Sequence, residues 1–391
     1  MAKTKINQLL TMDFASLGLS EPLLKAISAQ NFTAPYPIQA QAIPEILAGK
    51  DVLGAAQTGS GKTASFVLPI LEIFLRKKIM RHFHLKVLIL VPTRELAVQI
   101  NEVIGDFVLK IPMSLKHAEI VGGVSQNAQL AALKDAEIVV ATPGRLLDLV
   151  GSKFIDLSRI EMLVLDEADK MLDLGFKDEI EKILALLPLH RQNILFSATL
   201  DTKIDSLKAN WLNEAVKIEV EPEEDHTDLI TQTAYSVDAS RKGPLLRYLI
   251  KTREMKQVLV FMSSIRAADN LVIKLKKNGV QAIAIHSNKG QNSRMEALRT
   301  FKAGKVNVLV ATDLASRGID IQFLPFVINY ELPRSPKDYV HRIGRTGRAE
   351  ASGEAITFVT PEDAHHFQVI QKKMKKQIEL IKTDELELKG F

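Results

Sequence analysis

The chain has 391 residues, of which 46% are hydrophobic and 25% charged, with a formal net charge of +5 and no cysteine. At roughly 100–200 residues per domain this predicts two or three domains with cores of their own, and excludes a disulfide-stapled miniprotein, a fibrous chain and a disordered one. Without cysteine there can be no disulfide, cysteine-ligated zinc, iron–sulfur cluster or thiol catalysis, while the small positive charge permits a polyanionic partner without pointing to one.

Met1-Ala2-Lys3-Thr4-Lys5 leads into no apolar stretch, and the longest aliphatic run, residues 87–91, is too short to span a bilayer. A cytoplasmic protein with no membrane partner is expected. Short β-branched runs then recur at Val52-Leu53 and at residues 87–91, 138–140, 162–165 and 193–196, each followed by a polar turn and helical spacing. Such runs suit strands buried on both faces of a parallel sheet with crossover helices, so the first half reads as α/β. Residues 219–228 are acidic, carry Pro222 and have no periodicity, the marks of a linker. The rhythm restarts at 258–261, 282–285, 308–310 and 326–328, a second and smaller α/β domain. Past Thr360 the spacing predicts one helix, with Lys372-Lys373 and Lys375-Lys376 on a solvated face. Domain boundaries are drawn at 1–219, a linker over 220–230, 231–362 and a basic helical tail over 363–391.

The strongest local signal is Ala56-Gln57-Thr58-Gly59-Ser60-Gly61-Lys62-Thr63, directly after a strand and opening a helix. Glycines let backbone N–H groups close around phosphate oxygens, a lysine reaches the β- and γ-phosphates, and a threonine hydroxyl ligates Mg²⁺. Ala56 stands where this pattern expects its first glycine. A phosphate loop of this kind needs a carboxylate at the end of another strand, and Asp166-Glu167-Ala168-Asp169 follows the run at 162–165. Asp166 is placed to hold the metal through water, and Glu167 to orient or deprotonate the attacking water.

These motifs resemble those of the DEAD-box RNA helicases, and similar motifs continue in that family's order from Phe14 to about Phe358. The resemblance implies two tandem RecA-like domains, ATP and Mg²⁺ as cofactors and RNA as partner; a monomer is expected. Phe14 and the segment Asn31-Phe32-Thr33-Ala34-Pro35-Tyr36-Pro37-Ile38-Gln39 resemble the Q motif, which implies adenine contacts for Phe14, Phe32, Pro37 and Gln39; Asn31 and Tyr36 depart from the family's glycine and small hydroxyl residue. A glutamine amide also suits bidentate pairing with adenine. Pro92-Thr93-Arg94, Gly122-Gly123 and Thr142-Pro143-Gly144-Arg145 are similar to the RNA-backbone motifs, and each offers hydroxyl, arginine or free backbone N–H for phosphate. Ser197-Ala198-Thr199 is similar to the motif that couples ATP to strand separation, with hydroxyls able to bond Asp169.

In the second domain the resemblance implies RNA contacts by Thr312, Gln291 and Arg294, cofactor contacts by Gly318 and Asp320, coupling by His341, and Arg345 and Arg348 as fingers on the γ-phosphate. Residues 286–294 depart most from the family, and Asn288-Lys289 is similar to the bacterial RhlE-like branch. The histidines show no metal-ligand spacing, and Trp211 is assigned to packing. The reading is an ATP-dependent RNA helicase that opens short duplexes locally or remodels RNA–protein complexes. Its rivals are an ATP-gated RNA clamp, a DNA translocase and a P-loop GTPase, the last weakened because Asn288-Lys289-Gly290-Gln291 lacks the aspartate that reads guanine.

Overall fold

The structure, a computed structural model, describes residues 12–56, 60–77, 84–198, 211–220, 230–313, 321, 324–347 and 353–391. The chain divides into two compact units, Met1–Pro222 and Glu223–Phe391. The linker expected over 220–230 lies outside the described residues apart from its two ends. No helix among the described residues is long and apolar enough to cross a membrane.

The first unit is built on seven parallel strands: β1 Val52–Ala55, β2 Val87–Leu90, β3 His117–Ile120, β4 Ile138–Ala141, β5 Met162–Leu165, β6 Gln192–Ser197 and β7 Val216–Glu219, in the order β3-β4-β2-β5-β6-β1-β7. Alternate residues of the inner strands enter opposite cores. Val52, Val87, Ile89, Val140, Val164 and Phe196 join one apolar cluster, while Leu53, Leu88, Leu90, Val139, Leu165, Leu195 and Trp211 join the other. Helices cover both faces, which is why these strands read as unbroken apolar runs.

The register brings the strand ends level. Ala55 lies opposite Ser197, Leu165 opposite both Leu195 and Leu90, Leu90 opposite Ala141, and Ala141 opposite Ile120. Every segment singled out between Ala56 and Ser197 therefore leaves the sheet at one edge.

The second unit repeats the plan with β8 Ile230–Ser236, β9 Val258–Met262, β10 Ala282–Ile285, β11 Val308–Thr312, β12 Phe326–Asn329, β13 Gly353–Val359 and β14 Leu380–Lys382, ordered β10-β11-β9-β12-β13-β8-β14 and all parallel. The single helix expected past Thr360 is shorter than the sequence suggested. It runs Ala364–Met374 and ends on Lys375 at φ 55, a left-handed turn. The chain then doubles back: the Ile378 amide donates to Gln371 Oε1 at 2.6 Å, residues 380–382 add the edge strand, and the Thr383 hydroxyl donates to the Ser236 carbonyl at 2.7 Å.

A close approach fixes Gly54 in β1. A Cβ there would come within 2.3 Å of the Phe196 ring, which lies beside it across the ladder and is fully buried. Gly54→Ala should lower the stability of the first unit by about 1–3 kcal/mol, the usual cost of overpacking a core, while Gly54→Ala with Phe196→Leu should recover most of it; urea midpoints of the three proteins check this.

Candidate nucleotide and nucleic-acid site

β1 delivers the chain to Ala56, whose N–H donates to the Ser197 carbonyl at 3.0 Å, one step beyond the ladder. Ala56 is 3% exposed and has an ordinary negative φ, so its methyl is accommodated where the phosphate-loop pattern expects glycine. Gln57, Thr58 and Gly59 lie outside the described residues. Gly61 has φ +83, and a Cβ on it would fall 2.4 Å from Gln39 Nε2, so both conformation and space demand glycine. Lys62 opens the helix Lys62–Lys77, is buried, and donates from Nζ to the Ala56 carbonyl at 2.9 Å, tying the loop's two ends together. Thr63 follows it on the first turn, half-buried.

Gln39 sits in the first turn of the helix Pro37–Leu47, fully buried. Its Oε1 accepts from the Tyr36 N–H at 2.9 Å and its Nε2 donates to the Gly61 carbonyl at 3.0 Å, linking the Q-motif segment to the phosphate loop. The Asn31 departure has a physical reason. Asn31 lies at φ 60 after the helix Glu21–Ser28, where its N–H bonds the Ser28 carbonyl and the Phe32 N–H bonds the Ile27 carbonyl, a Schellman end that takes asparagine next best to glycine. Phe32 is thereby set half-buried between Phe14 and Phe107, at ring centroid distances of 6.2 and 6.1 Å. Phe14 itself belongs to the core.

β5 leads into Asp166, and Glu167 turns the chain into the helix Ala168–Asp173 at φ 54, ψ 47. A left-handed glutamate costs on the order of 1–2 kcal/mol, and the Glu167 N–H bond to Asp166 Oδ1 at 2.9 Å supports the turn. Both carboxylates are buried. Burial is the largest influence on Asp166 and pushes its pKa up to about 6, with Lys62 pulling it down and Glu167 pushing it up. Lys170 Nζ donates to Glu167 Oε1 at 2.6 Å, whereas Oε2 is buried without a hydrogen-bond partner among the described residues. The sequence reading missed Lys170, although its place three residues past Glu167 on a helix is a legible signal. Asp169 Oδ1 accepts from the Ala198 backbone N–H at 3.5 Å, and Ser197 is fully buried beside β1; Thr199 lies outside the described residues.

The ends of β2, β3 and β4 gather the remaining motifs of this unit. Pro92 is buried, and the Thr93 hydroxyl caps the helix Arg94–Val108 by accepting from the Leu96 N–H at 3.3 Å. The Arg94 guanidinium lies against Gly122 and Gly123, where a Cβ would come within 2.9 and 2.5 Å of it. Thr142 is 8% exposed ahead of the helix Pro143–Gly151, and Arg145 Nε donates to Gln129 Oε1 at 3.0 Å.

In the second unit Thr312 closes β11, and Gln291 and Arg294 lie on the first turn of the helix Gln291–Lys302, 3% and 8% exposed. Neither amide atom of Gln291 makes a hydrogen bond among the described residues. His341 is exposed and Arg345 half-buried at the end of the helix Pro336–Ile343; Gly318, Asp320 and Arg348 lie outside the described residues. The reading also missed Arg342, which pairs with both carboxylate oxygens of Asp313 at 2.6 and 2.7 Å, donates to Asn329 Oδ1 at 3.2 Å and to the Glu331 carbonyl at 2.6 Å, and lies over the Phe261 ring. It joins the ends of β9, β11 and β12 to the helix Pro336–Ile343.

Residues 36–207 match the DEAD/DEAH box helicase family, and residues 241–350 match the helicase conserved C-terminal domain. The chain belongs to the DEAD/DEAH box helicases. It is 39% identical over 367 residues to the ATP-dependent RNA helicase CshA of Listeria monocytogenes, a match covering 94% of this chain and 69% of that protein. With the probable ATP-dependent RNA helicase ddx49 of Dictyostelium discoideum it shares 42% over 379 residues, 96% of this chain and 73% of that one. The structure of S. cerevisiae Dbp5 bound to RNA and ADP BeF3 matches with a TM-score of 0.82 at 31% identity and 97% coverage of each chain. The two sheets are those of two tandem RecA-like domains.

A helicase that buries Asp166 at the cost of an ionisation has a measurable signature. Because the folded pKa lies above the unfolded value, the wild-type chain binds a proton more tightly when folded, and that contribution to stability is lost as pH rises through about 6. Asp166→Asn should therefore raise the melting temperature of the nucleotide-free protein at pH 8, with a gain that shrinks toward pH 5. A gain independent of pH would contradict the assignment.

Proposed function

We propose that the chain is an ATP-dependent RNA helicase that holds the RNA backbone and, coupled to ATP hydrolysis, opens short duplexes locally or remodels RNA–protein complexes. The observation that supports this best is the division of the first sheet's edge. Lys62, Asp166 and Glu167 leave the ends of β1 and β5, and Arg94, Gly122-Gly123 and Arg145 leave the ends of β2, β3 and β4. Nucleotide chemistry and backbone grip stand side by side on one rigid element.

In this reading Ala56 to Thr63 cradle the phosphates and Lys62 serves the β- and γ-phosphates. Thr63 and Asp166 would hold Mg²⁺, Asp166 through water. They fit the ion: hydroxyl and carboxylate are hard oxygen donors, and a carboxyl whose pKa burial has raised is one that a cation would relieve. The ion would neutralise charge on the β- and γ-phosphates. Glu167 Oε2, buried and with Lys170 holding its partner oxygen, is the acceptor for a proton of the attacking water. Gln39 still has one amide hydrogen and one lone pair to offer an adenine edge, and Phe32 is the half-buried member of its aromatic set, open to pack on the base. Gly318 and Asp320 complete the nucleotide contacts; Asp169, Ser197, Thr199 and His341 pass its state to the RNA. Thr93, Thr142, Thr312, Gln291 and Arg294 serve the RNA grip. The protein acts in the cytoplasm, as a monomer that carries both sets of motifs in one chain.

ATP hydrolysis should be slow alone and rise severalfold or more with single-stranded RNA, and much less with DNA of the same sequence, because 2′-hydroxyls distinguish the two. Steady-state phosphate release measures this, and equal rates with RNA, with DNA and with neither would sink the reading. Arg345→Ala should keep ATP binding and lower the RNA-stimulated kcat by ~10³–10⁵, the range for an arginine finger. An unchanged kcat would remove Arg345 from that role.

A further inference from the structure

The Gly122-Gly123 loop has no side chains of its own to hold it, and Gly123 stands at φ 77. Arg94 flanks it on one side, as described. Gln129 secures it from the helix Gln126–Leu133, where its side chain is nearly absent from the surface at 4% exposure. Its Nε2 donates to the Val121 carbonyl at 2.5 Å, immediately before the glycine pair, and its Oε1 accepts from Arg145 Nε at 3.0 Å. Arg145 Nη2 then reaches the Val124 carbonyl, immediately after the pair, at 3.5 Å. One buried amide thus joins the loop's entry to the arginine that touches its exit.

We propose that Gln129 is a positioning residue for RNA-backbone binding, the group that fixes Arg145 and the Gly122-Gly123 loop relative to one another as one phosphate-binding surface. The proposal rests on the RNA reading above and extends it to a residue that none of the motifs includes. Glutamine suits the place because an amide donates and accepts at once. A glutamate would keep Arg145 but set an oxygen against the Val121 carbonyl. A leucine would leave the carbonyl and the guanidinium both without this partner. Arg145 would then have Asp148, an exposed carboxylate already 3.9 Å away, as its side-chain partner, and would be drawn from the loop toward the surface.

The test uses the full chain and its variants Gln129→Leu, Gln129→Glu, Arg145→Ala and the double variant Gln129→Leu with Arg145→Ala. The readouts are the concentration of a single-stranded oligouridylate that half-saturates ATPase stimulation, the Kd of a fluorescent ATP analogue, and the melting temperature. Gln129→Leu should raise the half-saturating RNA concentration about tenfold, the scale of one hydrogen bond to a charged group, and leave the Kd for the ATP analogue within about twofold. Gln129→Glu should also bind RNA more weakly than wild type. The double variant should be no more than about twofold worse than Arg145→Ala, because Gln129 acts through Arg145 and the effects are not independent. Wild-type RNA dependence in Gln129→Leu would overturn the proposal, as would multiplying effects in the double variant, or an equal fall in RNA affinity, ATP-analogue affinity and melting temperature. A wild-type chain that oligouridylate neither binds nor stimulates would instead overturn the RNA reading itself.

Discussion

A strand whose two faces are both buried cannot display a polar side chain along its length, because every residue points into one core or the other. In the first unit β1, β2, β4 and β5 obey this. Residues such as Ile89, Val140, Val164 and Leu195 are less than 2% exposed, and their neighbours alternate between two apolar clusters. Chemistry is confined to the strand ends. Because all strands run parallel, those ends that lead into helices fall on one edge, and helix N-termini with their free N–H groups fall there with them. The phosphate loop, the acidic quartet and the glycine pair occupy one edge for that reason.

At the edge the backbone takes conformations the sheet would not allow. Gly61 and Gly123 stand at positive φ, and a side chain at either would also strike Gln39 or Arg94. Glu167 adopts it despite its side chain, and Asp166 is buried although burial opposes its charge. Stability is surrendered at both carboxylates, the pattern of residues placed for something other than folding alone.

Much of this was legible in the sequence because it rests on local rules. Runs such as 87–91 and 162–165 gave β2 and β5 within a residue of their ends, since continuous apolar runs are what doubly buried strands require. β3, with His117 and Glu119 alternating against Ala118 and Ile120, and β7, with Val216-Lys217-Ile218-Glu219, are edge strands with one polar side and carry no such run. β14 has three exposed residues and no pattern to find. Among site residues, the phosphate loop and the acidic quartet announce themselves by spacing. Gln129 and Arg342 do not: each acts by bridging segments distant in sequence, Gln129 to Arg145 and Arg342 to Asp313, and only packing reveals a bridge. Asn31 stands out in the sequence as a departure, and its left-handed backbone supplies the reason.

The way the second unit uses residues 375–391 bears on how it assembles. β14 pairs with β8, the Thr383 hydroxyl bonds a carbonyl 147 residues earlier, Arg241 donates to the Thr383 and Leu386 carbonyls at 2.9 and 3.2 Å, and Tyr248 packs edge-on to Phe391. During synthesis the first unit has all its strands once β7 has left the ribosome. The second must wait, with the open edge of β8 available for stray pairing, until residues 380–391 have followed. The interval in which β8 keeps an open edge is thus set by residues 380–391, which carry none of the functional groups described above.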